Sequence, residues 1–71
     1  SAKGNKDEHS EEALKHYNRG VDLHGSGFLN QAIAEYKLAI ESDPNFEEAY
    51  SNLGGVYAAQ KSYNKAIEMF E

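Results

Sequence analysis

Histidine, carboxylate and asparagine side chains are the groups through which this chain could do chemistry, and their spacing limits what that chemistry can be. There are three histidines, His9, His16 and His24. Glu12 and His16 stand four residues apart, which puts them on one face of a helix, and Asp22 lies near His24. A metal centre needs three or four converging ligands, with further hydrogen bonds holding them in place. His16 falls on a helical stripe with Ala13, Gly20 and Leu23 and His9 in a polar arm, so no metal is expected, and His16 reads as a partly buried ring bonded to a neighbour. With no cysteine there is no thiolate nucleophile, disulfide or zinc–thiolate site, and the redox compartment is unreadable. Gly25-Ser26-Gly27 precedes a helix, where a phosphate can be cradled. It lacks the lysine, the fuller glycine spacing and the preceding strand of a phosphate loop, so it reads as a turn. No nucleophile–base–orienter set assembles from spacing, and a chain this short leaves little room for a substrate cavity. The expectation is therefore no enzyme, no catalytic residue and no cofactor.

The composition narrows the partners. Seventy-one residues make at most one small domain, and 12 acidic against 7 basic residues leave a net charge of −5. A nucleic-acid backbone is an unsuitable partner, because binding it requires clustered Lys and Arg to displace counterions. No apolar run approaches the roughly 20 residues of a membrane helix. The opening SAKGNKDEHSEE is too polar for a secretory leader. The acidic runs Asp7–Glu12 and Glu41–Glu48 read as solvated helix N-termini, with steering of a basic partner as the alternative. A chain of this size buries only about 60% of its unfolded surface, so it depends on very regular helix packing or on a neighbour's surface.

Which elements would position these groups follows from the apolar pattern. Residues 1–9 hold no large apolar side chain and read as a disordered N-terminal arm. Ser10 is a fitting N-cap, with Glu11 and Glu12 in the favourable first turn. From Ala13 two helical stripes run side by side: Leu14, Tyr17, Val21, His24 and Ala13, His16, Gly20, Leu23. Two stripes describe a helix covered on two sides. Gly25-Ser26-Gly27 ends it. A second helix is predicted from about Phe28 to Glu41, with Leu29, Ala32, Ile33, Tyr36, Ala39 and Ile40 inward, stopped at Asp43-Pro44. Asn45 with Glu48 predicts a capped third helix to about Gln60, and Ser62 predicts the cap of a fourth. Four helices and no strand make the chain all-α.

Laying residues 13–37 over 47–71, a shift of 34, pairs Asn18 with Asn52, Gly20 with Gly54, and Asn30 with Asn64. The same shift pairs Ala32 with Ala66 and Ile33 with Ile67, while Tyr36 meets Phe70. Small residues fall where two helices must approach closely, and aromatics fill the space beside them. A helix–turn–helix period of about 34 residues is that of the tetratricopeptide repeat. The second copy resembles this family closely: Tyr50, Leu53, Gly54, Tyr57, Ala66 and Phe70 follow its W-x2-L-G-x2-Y…A-x3-F spacing, with Tyr for Trp. The first copy keeps Gly20, Ala32, Tyr36, Ala39 and Pro44 but carries His16, Arg19 and Leu23 where the family favours an aromatic, Leu and Tyr.

The resemblance covers all but the arm and implies antiparallel helix–turn–helix repeats stacked as a short right-handed solenoid. Residues 10–71 form the repeat region, with repeat one at about 13–46 and an incomplete repeat two at 47–71. It also implies a protein–protein interaction scaffold whose concave groove, lined by the first helix of each repeat, receives an extended peptide. The peptide-binding positions carried over are Leu14, Tyr17, Asn18, Val21 and His24, then Glu48, Ser51, Asn52, Gly55 and Ala58. Asn18 and Asn52 recur one repeat apart and are similar to the asparagine ladder of O-linked N-acetylglucosamine transferase, in which a carboxamide pairs with a peptide unit regardless of its side chain. The other reading is that they are merely exposed polar positions. The Lys/Asn clamp that binds chaperone C-termini is disfavoured, since Tyr17 and Val21 occupy its first Lys and Asn positions. Two alternatives stand beside the groove: self-association through an uncapped repeat end exposing Ile67, Met69 and Phe70, and a targeting region of a larger enzyme.

Overall fold

Ser10 begins the first helix. In the computed structural model, which describes residues 9–70, its backbone is extended (φ −63°, ψ 154°) and its Oγ accepts the Ala13 N–H at 3.0 Å. Helix α1 (Glu11–Gly25) follows, with Glu11 and Glu12 at its positive dipole end. The sequence reading's arm over residues 1–8 lies outside the described residues. At the other end Gly27 adopts φ +87°, a conformation that costs glycine little. There the Gly27 N–H donates to the His24 carbonyl at 3.1 Å and the Phe28 N–H to the Leu23 carbonyl at 2.9 Å. These are the paired bonds of a Schellman closure, and they reverse the chain within three residues.

Helix α2 (Leu29–Ser42) ends where Asp43, preceding Pro44, is extended (φ −144°, ψ 92°). The next turn is organised by Asp43: its carbonyl accepts the Phe46 N–H and its carboxylate the Asn45 N–H, both at 3.1 Å. Pro44 suits the second position of such a turn because its ring presets φ. Asn45 does not cap the third helix as the sequence reading expected, because α3 (Glu47–Phe70) starts one residue later, directly after Phe46.

The three helices, with no strand among the described residues, give the all-α repeat class expected from the sequence. The contact Ser10–Ser42 at one end and Gly20–Tyr36 further along join ascending positions of the first hairpin arm to descending positions of the second, so α1 and α2 are antiparallel. Asn52–Tyr36 and Gln60–Asn30 set α3 antiparallel to α2 in the same way. One cluster of buried residues joins Ala13, Ala39, Phe46 and Ala49, and a second joins Ala32, Tyr36 and Val56. Tyr17 packs against both and so binds the two halves of the core together.

The predicted fourth helix does not fold back. Residues 47–70 form one continuous 24-residue helix, about 36 Å long at 1.5 Å per residue. The register explains why. Gly25-Ser26-Gly27 corresponds to Ala59-Gln60-Lys61, so Lys61 would have to take the left-handed conformation that Gly27 adopts freely. Ala, Gln and Lys are good helix formers, and a Ser62 cap worth about 1 kcal/mol does not outweigh a left-handed Lys61 and the turn of helix given up, so the helix runs on.

Candidate functional site

Tyr17 is the centre of the face shared by α1 and α3. Its ring stacks on Phe46 (centroids 4.9 Å, 29°) and lies tilted against Tyr36 (5.9 Å, 52°). His9 stacks on Phe46 at 3.8 Å and 9°, extending the column to four rings. His9, placed by its sequence context in the arm, is thus packed, and its Nδ1 is hydrogen-bonded to the Asp43 carboxylate. That bond, with a smaller contribution from the Asn45 N–H, holds the Asp43 carboxyl below its ordinary value. Nothing in the helical periodicity signals the His9 contact, because the residue precedes the first helix and meets a turn 34 positions away.

The two asparagines of the expected ladder differ. Asn18 is exposed on α1. Asn52 is half-buried, and its amide donates to the Tyr17 hydroxyl at 3.1 Å and the Tyr36 hydroxyl at 3.3 Å. Both amide hydrogens therefore serve the junction of the three helices, and the side chain's carbonyl is the group left to meet another molecule. Asn52 is thus more than the exposed polar position of the alternative reading. The Tyr36 hydroxyl is pushed above its ordinary value, chiefly by burial, and the Asn52 bond opposes that rise. A recurrence one repeat apart marked Asn52 in the sequence, but its tyrosine partners lie on two other helices and leave no local pattern.

Around this junction, Leu14 and Val21 are about 40% exposed, three residues before and four after Tyr17, and so form an apolar stripe on α1. His24 is half-buried at the end of that helix, while Glu48, Ser51, Gly55 and Ala58 are exposed on α3. Tyr17 is itself half-buried, so much of its ring serves the core. On the α1–α2 seam, His16 Nδ1 bonds Glu35 at 2.7 Å, with Glu12 at 3.8 Å from Nε2 and Arg19 at 3.8 Å from the same Glu35 carboxylate. This is the hydrogen-bonded histidine expected from the sequence. Among the described residues no three His, Asp or Glu side chains gather as a metal site.

The repeat signature positions split by copy. In the first copy Gly20, Ala32, Tyr36 and Ala39 are buried, and a Cβ on Gly20 would lie 2.7 Å from the Tyr36 ring. Pro44 is exposed at its turn. Among the described signature side chains of the second copy, Leu53 alone packs against the core, and the Phe70 side chain lies outside those described. Tyr50 and Tyr57 are exposed, Ala66 is exposed, and Gly54 has nothing within 4 Å of an added Cβ. The close approach expected at Gly54 is absent because its register partner, Phe70, lies 16 residues on in the same straight helix, about 24 Å away.

Comparison with known proteins agrees with the architecture. Residues 23–61 match the family described as TPR repeat. The chain is 44% identical over 59 residues, 83% of its length, to mouse Tetratricopeptide repeat protein 14. It spans only about 8% of that relative's length. No solved structure matches. With its 34-residue register, its antiparallel α1–α2 hairpin and a third helix laid beside the first, this chain belongs to the tetratricopeptide repeat family.

Proposed function

We propose that this chain is a non-catalytic interaction module that takes an extended segment of a partner polypeptide along the face where α1 and α3 lie side by side. Repeats of this family mediate protein–protein interactions. The observation that carries the finer reading is the exposed Leu14–Val21 stripe flanking the Tyr17–Asn52 bond between α1 and α3. Apolar side chains of the partner would cover Leu14 and Val21. The Asn18 carboxamide would pair with a peptide unit of the bound backbone, and the Asn52 carbonyl would accept one further N–H. Each such bond contributes about 1 kcal/mol net, so the polar groups fix direction and register while apolar contact supplies most of the affinity.

The test begins with peptides selected from a random displayed library against the immobilised chain. Their binding is then mapped on the protein's amide resonances. Shifts should concentrate at residues 14–21 and 48–55, and Asn18→Ala should weaken binding roughly fivefold, the equivalent of about 1 kcal/mol. Selected peptides whose shifts fall only on the outer side of α2, or whose affinity ignores Asn18→Ala and Val21→Ser alike, would refute the groove.

A further inference from the structure

Tyr17 and Asn52 are bonded across the junction of α1 and α3, and one turn before them stand Leu14 and Glu48. Each of the two helices is antiparallel to α2, so they run the same way and these two residues lie side by side. They also hold the same place in the repeat, 34 positions apart. Stacking leaves that place open. The helix α3 already lies beside α1, yet Leu14 and Val21 remain about 40% exposed and Asn18 is exposed. Glu48, at the register position of Leu14, is exposed on the same side.

The chemistry of this place is one-sided. None of the groove positions on either helix is a Lys or Arg, and Glu48 is the one carboxylate among them. Among the described residues it forms no ion pair. Asn52, four residues and about 6 Å along the helix, presents only its carbonyl, because Tyr17 and Tyr36 take both amide hydrogens. Both groups accept hydrogen bonds and neither donates.

We infer that the groove selects a partner segment with Lys or Arg at one fixed place. The aliphatic stem of that residue lies on Leu14 and its cationic head meets the Glu48 carboxylate, beside the backbone N–H that Asn52 accepts. This rests on the groove proposed above and names the chemistry it reads. A long basic side chain suits both halves of the place, since its methylenes cover apolar surface while its charge stays at the tip. An acidic side chain would set like charges together, and a purely aliphatic one would leave the carboxylate without a counter-charge. The net charge of −5 draws cationic segments from a distance, and Glu48 gives the charge a position.

Random nine-residue segments displayed in one library are selected separately against the wild-type chain and against Glu48→Lys. The wild-type pool should enrich Lys or Arg at one position by roughly threefold or more, and the Glu48→Lys pool should enrich Asp or Glu there instead. In a wild-type peptide, norleucine at that position keeps the stem and removes the charge, and should weaken binding about threefold. Glu48→Gln should cost the same, and the two changes together should cost no more than either. Glu48 is exposed, so its replacement leaves the fold in place, which circular dichroism checks. Glu41→Gln removes another exposed carboxylate, at the end of α2 and outside the groove, and should leave affinity unchanged. Equal losses for Glu41→Gln and Glu48→Gln would reduce the effect to net charge and overturn the inference. Peptides that shift residues 14–21 and 48–55 without any basic enrichment would overturn it too, while leaving the groove standing. Shifts confined to other residues would bring down both readings together.

Discussion

Replacing Gly20 with alanine tests whether the approach of α1 to α2 is set by the tyrosine ring between them. The added Cβ would stand 2.7 Å from Tyr36 Cε1 and 2.8 Å from Cδ1, well inside ordinary carbon contact. The ring has nowhere to go. Tyr36 is completely buried, its hydroxyl takes the Asn52 amide, and its face leans on Tyr17. Overpacking of this kind costs about 1–3 kcal/mol, and a rigid buried ring belongs in the upper half of that range. Against it, Ala gains about 1 kcal/mol over Gly in a helix interior. The net loss is about 1–2 kcal/mol, which in a domain this small lowers Tm by about 5–15 °C. Gly55→Ala is the matched control. It too lies within a helix, but nothing stands within 4 Å of its added Cβ, so it should raise stability by up to about 1 kcal/mol. Thermal melts by circular dichroism, at one fixed protein concentration, compare the two. A Gly20→Ala melt at or above wild type would mean that the helices separate freely there, and the packing argument would fail.

Asn52→Ala should cost about 1–2 kcal/mol by denaturant titration, because it leaves two tyrosine hydroxyls in the core without their donor, while the exposed Asn18→Ala should leave stability unchanged. Equal midpoints for the two variants would remove the structural role given to Asn52. Acid should act through Asp43: a carboxyl held below its unfolded value of about 3.8 contributes stability that is complete above that value and is lost as pH falls through the folded one. Melts between neutral pH and the acid limb should therefore steepen below about pH 4 in the wild type and less so in Asp43→Asn or His9→Ala. At the alkaline end the sign reverses, because there the folded state holds the extra proton. The Tyr36 phenol stays protonated in the fold above its ordinary 10.0, so stability should decline as pH rises past 10. A phenolate titration of the native protein in which every tyrosine ionises at the free value would contradict that burial.

Legibility in the sequence followed how local each cause was. Ser10 as N-cap, the glycine turn after α1 and the stop at Asp43-Pro44 depend on a few adjacent residues, and the sequence alone determined all three. The 34-residue period determined the family, and it fixed Gly20, Ala32 and Tyr36 as places where α1 meets α2, because spacing on a helix dictates which residues share a face. Two things were decided only in three dimensions. Asn52 turned out to donate to Tyr17 and Tyr36, since three separate helices converge there and no spacing along the chain records the meeting. The fourth helix was foreseen from a signature that Ala66 and Phe70 do carry, yet α3 runs straight through its turn. A repeat motif specifies surfaces that fit each other; whether they meet depends on the cost of reversing the backbone between them, low at Gly27 and high at Lys61.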